Sequence, residues 1–332
     1  MASIMTNASA LTALQSLNAT NKNLETTQSR ISTGYRVAEA SDNAAYWSIA
    51  TTMRSDNKAL STVQDALGLG ASKVDTAYTG MSKAIETVNE IKVKLVAAQG
   101  STPADKQKID TEIKALQGQL KSYADAATFS GANWLSVDTT SGHAAQGTFD
   151  DVKVVASFNR NAAGTVSLGT IDVKVQDIKL FEGFATATAA QEGILDATRL
   201  GTSGARTAPA AVTLGTDAAG DTFSVFTMAL ANTTTVATDV QVGKMLTITE
   251  AALKEMTTAA TNLGAAKSRI DLQKTFTSSL MDSIDRGVGQ LVDADMNKES
   301  TRLQALQVQQ QLGIQALSIA NGNSQSILSL FR

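Results

Sequence analysis

The sequence contains no cysteine, two prolines and a single histidine among its 332 residues. Without cysteine the chain can form no disulfide, no thiolate metal site and no cysteine nucleophile. The lone histidine, His143, cannot make an HExxH zinc site and lies in a Gly/Ala/Ser stretch, where we expect a solvated loop residue. These absences leave few groups from which a catalytic or metal centre is built, so we expect no cofactor and no enzyme activity.

An excess of one charge and long apolar runs are lacking as well. The chain has 28 basic and 31 acidic residues and a net charge of -3, which gives no basic surplus for binding a nucleic-acid backbone. No run of roughly 18 apolar residues occurs, so we expect no membrane insertion. The N-terminus has neither the positive region nor the continuous apolar region of a secretory signal. We therefore expect a cytosolic protein or export by a route that reads a different signal.

Both ends of the chain lack charge. Residues 1–21 and 303–331 contain no charged side chain, yet leucines and isoleucines recur through their Ser, Thr, Asn and Gln residues. A lone helix with a narrow apolar stripe is marginal in water, because packing supplies most helical stability. We therefore predict that the two ends pair with each other and with further copies of the chain. The predicted self-assembly residues are Ile4, Leu11, Leu14, Leu17, Leu24, Ile31, Leu303, Leu306, Leu312, Leu317, Ile327, Leu328, Leu330 and Phe331.

Apolar residues at intervals of seven predict a long coiled-coil-like helix from Tyr46 to Leu95. Gly100 ends this helix, and Ser101, Thr102 and Pro103 supply a cap and a first-turn proline for a second helix. A short turn between the two favours an antiparallel hairpin. We interpret this heptad as ordinary intramolecular core. Its main row is Tyr46, Met53, Leu60, Leu67, Val74, Met81, Val88 and Leu95.

The middle of the chain has a different composition. Residues 141–243 hold 11 of the 23 glycines, and alternating runs at 152–158, 170–175 and 222–226 predict strands. Helical periodicity returns near Thr249. The predicted fold is mainly α with a β-rich insert: a coiled-coil-like helical rod built from both chain ends, with a small strand-rich outer domain. The predicted parts are inner-core segments at 1–42 and 288–332, a helical rod domain with a β-hairpin region at 43–185 and 243–287, and a variable, surface-exposed outer domain at 186–242.

Two motifs that could indicate ligand sites have simpler structural explanations. The stretch from Gly68 to Lys73 is similar to a phosphate loop, but it lacks the GxxxxGK[ST] spacing and lies inside the heptad run. Asp293 and Asp295 lie two apart on a predicted helix and would point to different faces. We interpret them as surface or intersubunit ion partners.

Three segments give the chain a recognisable family resemblance. The stretches SRISTGYRVAEASDNAAYWSIA (29–50), LGAAKSRI (263–270) and QSILSLFR (325–332) resemble bacterial flagellins, in particular those of rhizobia and agrobacteria. The resemblance covers roughly residues 1–140 and 245–332. It implies a subunit of the flagellar filament that is exported unfolded through the flagellar type III apparatus. It also implies as partners further copies of the chain, an export chaperone, hook-associated proteins and a distal cap protein.

The resemblance further implies two regions that innate immune receptors of hosts read. The animal receptor's contact helix corresponds to 87–100, including Val88, Asn89, Glu90 and Ile91, with Glu112 on the following helix. Strongly recognised flagellins have an arginine where this chain has Glu90. In the segment read by the plant receptor, which includes Asp42, recognised peptides have aspartate and glycine where this chain has Asn43 and Tyr46. We expect weak recognition by both receptors.

Two alternatives stay open at this stage. A flagellin-like hook–filament junction protein is the nearer one, although the QSILSLFR ending favours a flagellin. The other is a secreted adhesin or enzyme whose activity lies in 141–243, on flagellin-like termini. That segment lacks clustered histidines, cysteines or carboxylates, which argues against an enzyme.

Overall fold

The computed structural model describes residues 7–137, 151–161, 164–182, 192–209, 212–232 and 234–330, with side chains to residue 322. Within these residues the chain is mainly helical, with a strand-containing middle, as the sequence predicts. The helices are α1 (Ala8–Thr33), α2 (Ala44–Ala98), α3 (Pro103–Ala126), α4 (Asp239–Val292) and α5 (Met296–Leu330). The strands are β1 (Thr128–Phe129), β2 (Ala132–Asn133), β3 (Ser136–Val137), β4 (Val152–Arg160), β5 (Val166–Val173), β6 (Phe181–Glu182), β7 (Arg199–Leu200) and β8 (Thr222–Phe223). His143 lies outside the described residues.

The described strands form two-stranded sheets. Three pairs are antiparallel (β1 with β2, β4 with β5, β7 with β8), and β3 pairs with β6 in parallel. The β4–β5 hairpin runs from the pair Val152–Val173 to the pair Arg160–Val166 and confirms the strand predicted at 152–158. Two predicted strand boundaries are wrong. Val175 begins a 3-10 turn instead of ending β5, and β8 stops at Phe223 because the Ser224 hydroxyl accepts the Thr227 amide in a turn.

The chain divides into two compact units. Unit 1 comprises Met1–Ala59 and Ser279–Arg332, and unit 2 comprises Leu60–Ser278, so the divisions fall within α2 and α4. These divisions differ from the boundaries predicted at 42, 185, 242 and 287. Buried residues of the predicted outer domain, such as Leu195 and Val225, belong to the same core cluster of unit 2 as Leu67 of α2. The three-part division therefore stays a prediction.

The heptad row of α2 is the centre of the unit 2 core. From Leu60 to Leu95 all of its members are buried. Gly70 of α2 is required for a steric reason: a Cβ at this position would lie 2.4 Å from the Val154 Cγ1 atom of β4. Glycine at this turn of α2 thus allows the β4–β5 hairpin to approach the helix closely.

In unit 2, α3 and α4 each run antiparallel to α2. The Thr102 side chain caps α3 by accepting the Asp105 amide, and Pro103 occupies the first turn, as predicted. Lys94 of α2 pairs with Glu112 of α3 at 2.6 Å, near the turn between these helices. On the other side, α2 and α4 are joined by the ion pairs Asp75–Lys267 and Lys92–Glu250. The predicted α2–α3 hairpin is confirmed.

Three polar residues of α3 are buried against the irregular chain that precedes α4. The Lys106 ammonium donates to the Ala237 carbonyl at 3.0 Å, and Asp110 accepts the Leu230 amide at 2.6 Å. The Gln117 amide donates to the carbonyls of Val225 and Met228 at 3.0 and 2.9 Å. These side chains of α3 therefore form hydrogen bonds with main-chain groups that lie outside the helices and strands.

A separate small core in unit 1 holds the segment between α1 and α2. Val37 packs with Ala50 of α2 and with Val288 and Val292 of α4. The Arg36 and Val37 amides both donate to the Val292 carbonyl, at 2.7 and 3.2 Å, so this segment caps the end of α4.

Two predictions about unit 1 need correction. Tyr46, predicted to begin the buried heptad row, is 41% exposed, because α2 has completed barely one turn there and the small core begins at Ala50. Asp293 and Asp295 do not share a helix. They lie in the break between α4 and α5, where the Asp295 carboxylate accepts the amides of Asn297 and Lys298 and caps α5.

Candidate assembly surface

The two terminal helices, α1 and α5, pair antiparallel in unit 1. At one end of the pair the Asn7 side-chain amide donates to the Ala320 carbonyl at 2.9 Å. In the middle, Gln310 donates to the Asn21 side-chain oxygen at 2.8 Å, and at the other end Arg30 pairs with Glu299 at 3.4 Å. The predicted pairing of the chain ends is therefore present within a single copy.

The seam between α1 and α5 is built largely from small and polar residues. Less exposed positions alternate at spacings of three and four along both helices, which is the spacing of a coiled coil. A Cβ at Gly313 would lie 3.1 Å from the Leu17 Cδ1 atom, so the helices approach closely there. The seam positions are Ala10, Ala13, Leu17, Thr20, Leu24, Thr27 and Ile31 on α1, and Glu299, Leu303, Leu306, Gln310, Gly313, Leu317 and Ala320 on α5.

Six large aliphatic side chains on the same pair face away from this seam. They are 43% to 68% exposed, although the tracts that carry them hold no charge. Isolated exposed aliphatic residues are normal on protein surfaces, but a group of six in the charge-free tracts of one helix pair indicates an interaction site. These residues, here called the outer aliphatic set, are Leu11, Leu14, Val308, Leu312, Ile314 and Ile319.

The predicted self-assembly residues thus fall into two groups. Leu17, Leu24, Ile31, Leu303, Leu306 and Leu317 lie in the intramolecular seam, whereas Leu11, Leu14 and Leu312 belong to the outer aliphatic set. The predicted self-assembly residues do not include Val308, Ile314 and Ile319, although these lie in the same charge-free tract. Ile4, Ile327, Leu328, Leu330 and Phe331 lie outside the side chains that the structure describes.

A shallow groove accompanies the outer aliphatic set. It has a volume of about 530 Å³ and lies between α1 and α5 near the free end of the pair. Short side chains leave this space open, and its lining residues are Ser9, Thr12, Ala13, Ser16, Gly313, Ala316 and Ala320. One helix pair therefore presents both projecting aliphatic side chains and an uncharged depression.

Comparison with known proteins identifies the family. Residues 4–140 match the family model of the bacterial flagellin N-terminal helical region, and residues 246–331 match that of the C-terminal helical region. The chain belongs to the bacterial flagellin family. It is 51% identical to a flagellin of Brucella melitensis over 332 residues and 51% identical to flagellin C of Rhizobium meliloti over 333 residues, with both chains covered completely in each case.

Membership of the flagellin family fixes the general role. The chain is a structural subunit of the bacterial flagellar filament, an extracellular polymer. A flagellin A of Rhizobium meliloti is 46% identical over a longer alignment of 406 residues. Among the described helices, none is long and apolar enough to cross a membrane.

The residues that the family resemblance assigns to the animal receptor contact are only partly accessible. Val88 and Ile91 are fully buried in the unit 2 core, so within the folded unit a receptor can reach only Asn89 and Glu90 of that group. Glu112 is exposed on α3, with Lys94 as its ion partner. The exposed residues of this region thus include two acidic side chains, Glu90 and Glu112.

The residues that correspond to the plant receptor segment have local structural roles. The Asp42 carboxylate accepts the amides of Ala38 and Glu39 at 3.0 and 3.2 Å. The Asn43 side chain caps α2 by accepting the Tyr46 amide at 3.1 Å, and the Tyr46 ring lies 6.0 Å from the Arg36 guanidinium. These side chains fix the turn into α2 and stay exposed.

Proposed function

We propose that this flagellin-family subunit contacts neighbouring copies in the filament through the outer aliphatic set of α1 and α5, and that its role is mechanical rather than catalytic. The supporting observation is that six aliphatic side chains of the pair stay 43% to 68% exposed, in addition to the six leucines and isoleucines that already lie in its seam. A pair that served only to fold one copy would carry polar residues at these outward positions.

The energetics favour assembly over exposure. Complete burial of a leucine or isoleucine contributes roughly 1.5 to 3 kcal/mol, so covering a side chain that is already half buried contributes about 1 kcal/mol. Six such side chains, repeated in every copy, can offset the cost of ordering the helices and immobilising a subunit. No charged group must be desolvated within 7–21 or 303–322, so the desolvation of charge does not oppose assembly there.

The double variant Leu312→Gln and Ile319→Gln tests this surface. Both substitutions keep helix-compatible side chains of similar length and leave the described seam unchanged. Loss of about 2 kcal/mol of burial per subunit should raise the critical concentration for seeded polymerisation about 30-fold. The matched control is Val240→Gln, which removes an exposed aliphatic side chain from α4. Sedimentation and electron microscopy would measure polymer, and an unchanged critical concentration with folded monomer would disprove the assignment.

The same surface supports the proposed partners. Val308, Leu312, Ile314 and Ile319 of α5 are exposed in a single copy, so they need a cover before assembly. An export chaperone bound at the C-terminal helix would provide it. The cap and hook-associated proteins implied by the family resemblance would meet copies at the two ends of the filament, where one neighbour is missing.

Weak recognition by host receptors is also part of the proposal. Glu90 is exposed on α2 at the position where strongly recognised flagellins have arginine, and a reversed charge at a contact commonly costs about 2 to 5 kcal/mol. Glu90→Arg should therefore increase activation of the animal receptor in a cell reporter assay, and Glu86→Arg, one turn earlier on the same helix, serves as the control. Equal potency of the unmodified chain and an enteric flagellin would disprove weak recognition by the animal receptor.

For the plant receptor, a weak leaf oxidative burst to the 29–50 peptide is expected, since Tyr46 replaces glycine.

A further inference from the structure

A group of buried and half-buried charges lies in unit 2, where residues 179–182 pack against 193–196. The side chains of Lys179 and Glu182 are 0% and 1% exposed and form an ion pair at 2.5 Å. Asp196 accepts the Glu182 backbone amide through Oδ2 at 2.9 Å. Glu192 lies at the start of the second segment, where its carboxylate accepts the Thr198 amide at 3.0 Å.

The main chain prevents Asp196 from moving away from this group. The amides of Ile194 and Leu195 donate to the carbonyls of Lys179 and Leu180, both at 3.0 Å. Between these segments Gly193 allows an unusually close approach, since a Cβ there would lie 2.3 Å from the Leu180 carbonyl oxygen. The backbone of Asp196 is therefore fixed beside residues 179–182, where its half-buried carboxylate accepts the Glu182 amide.

We propose that Asp196 is a pH-responsive group that takes up a proton on mild acidification and thereby tightens the junction between residues 179–182 and 193–196. The Lys179 ammonium is already paired with Glu182. The charges that act on Asp196 are those of Glu182 and Glu192, which oppose its ionised form, and that of Lys121 on α3, which favours it. Lys121 is itself shared with Asp125 and the Ser136 hydroxyl, at 2.9 Å each.

The pKa of Asp196 supports this role. Burial is the largest influence and, together with the neighbouring carboxylates, raises the pKa to about 6 from an ordinary value of 3.8, against the lowering effect of the Glu182 amide. Because the folded pKa lies above the unfolded one, the junction gains stability as pH falls through about 6, and the gain is complete only below about 4. Between pH 7.5 and pH 5 the equilibrium constant for local closing should increase about tenfold.

Hydrogen exchange of the full-length monomer tests the proposal. After correction for intrinsic rates, the protection of the Ile194 and Leu195 amides should rise about tenfold between pH 7.5 and pH 5. In Asp196→Asn, whose side-chain oxygen can still accept the Glu182 amide, protection should be the same at both pH values. Retention of the wild-type pH dependence in Asp196→Asn would overturn the assignment to Asp196.

Two further measurements separate Asp196 from its neighbours. Glu192→Gln should keep most of the pH dependence, and its loss in that variant alone would identify Glu192 as the responsive group and overturn the proposal. Should Asp196→Asn fail to fold, a carboxyl-carbon NMR titration of the aspartates of the unmodified chain gives the same answer. A resonance with a midpoint near 6 supports the proposal, and midpoints all near 4 overturn it.

Discussion

Glu255 of α4 shows how a single carboxylate organises buried positive charge in unit 2. Its two oxygens accept the Arg199 guanidinium at 2.7 and 2.8 Å and the Arg206 guanidinium at 2.7 Å, and Arg199 is only 1% exposed. Burial by itself favours the neutral acid, but the hydrogen bonds and charges of both arginines lower the pKa of Glu255 to about 2. Neither arginine lies in a periodic apolar pattern, so the sequence offers no signal for this cluster.

Replacement of Glu255 by glutamine should destabilise unit 2 in a pH-dependent way. The folded pKa lies below the ordinary value of 4.5, so the stabilisation is complete at neutral pH and is lost as pH falls from about 4.5 towards 2. At pH 7 we expect the free energy of unfolding to fall by about 2 kcal/mol, after allowing for solvent screening of a side chain that is 39% exposed.

Urea unfolding of Glu255→Gln at pH 7 and at pH 3 would measure this loss. The difference from the unmodified chain should shrink at the lower pH. Glu250→Gln, which removes the exposed partner of Lys92 on the same helix, should cost under about 1 kcal/mol. A pH-independent difference for Glu255→Gln would contradict the proposed role of the charge.

The contrast between α2 and α3 shows what the sequence can predict at the scale of an element. Leu67 and Val74 lie in a regular heptad, and their burial follows from spacing alone. Lys106, Asp110 and Gln117 are equally buried, yet a polar residue on an amphipathic helix is normally read as solvent-facing. Their partners are main-chain groups more than 100 residues away, and no local pattern encodes such a distance.

The same limit applies to the assembly surface. Charge-free tracts with recurring leucines predicted which two helices meet and that their surfaces associate further. They could not separate Leu17, which lies in the seam, from Leu14, which faces outward, since both have helical apolar spacing. Which of the two leucines lies in the seam is decided by the small residues Ala10 and Gly313, which let the two helix backbones approach along one face.

Gln117→Leu tests whether α3 holds the irregular chain before α4 through its buried amide. The substitution keeps the side-chain volume roughly similar but leaves the Val225 and Met228 carbonyls without this donor, which should cost about 2 kcal/mol of unfolding free energy. The control Gln107→Leu makes the same change at an exposed position of α3 and should stay within about 0.5 kcal/mol. Equal effects of the two changes in thermal unfolding would show that the buried hydrogen bonds contribute nothing specific.

The stability of the whole molecule is divided unequally between its two units. Unit 2 has a continuous core that includes helices, hairpin and irregular chain, with buried residues from Val63 to Ile270. The α1–α5 pair of unit 1 has instead a seam in which only Thr27, Glu299 and Leu306 are fully buried among the described positions. The terminal helices therefore depend on each other within one copy, and on neighbouring copies for the remainder of their apolar surface.

Deletion of residues 303–332 should abolish filament formation and leave unit 2 folded. The deleted helix contributes no residue to the unit 2 core, but it lies opposite Leu17 and Leu24 of α1, which is marginal without a partner. The helix content measured by circular dichroism should consequently fall further than the deleted residues explain, by about the 26 residues of α1. The main unfolding transition should keep its midpoint. Sedimentation after seeding would show only monomer. Polymer at the level of the intact chain, or retention of the α1 signal, would mean that α1 is stable and competent for assembly without α5.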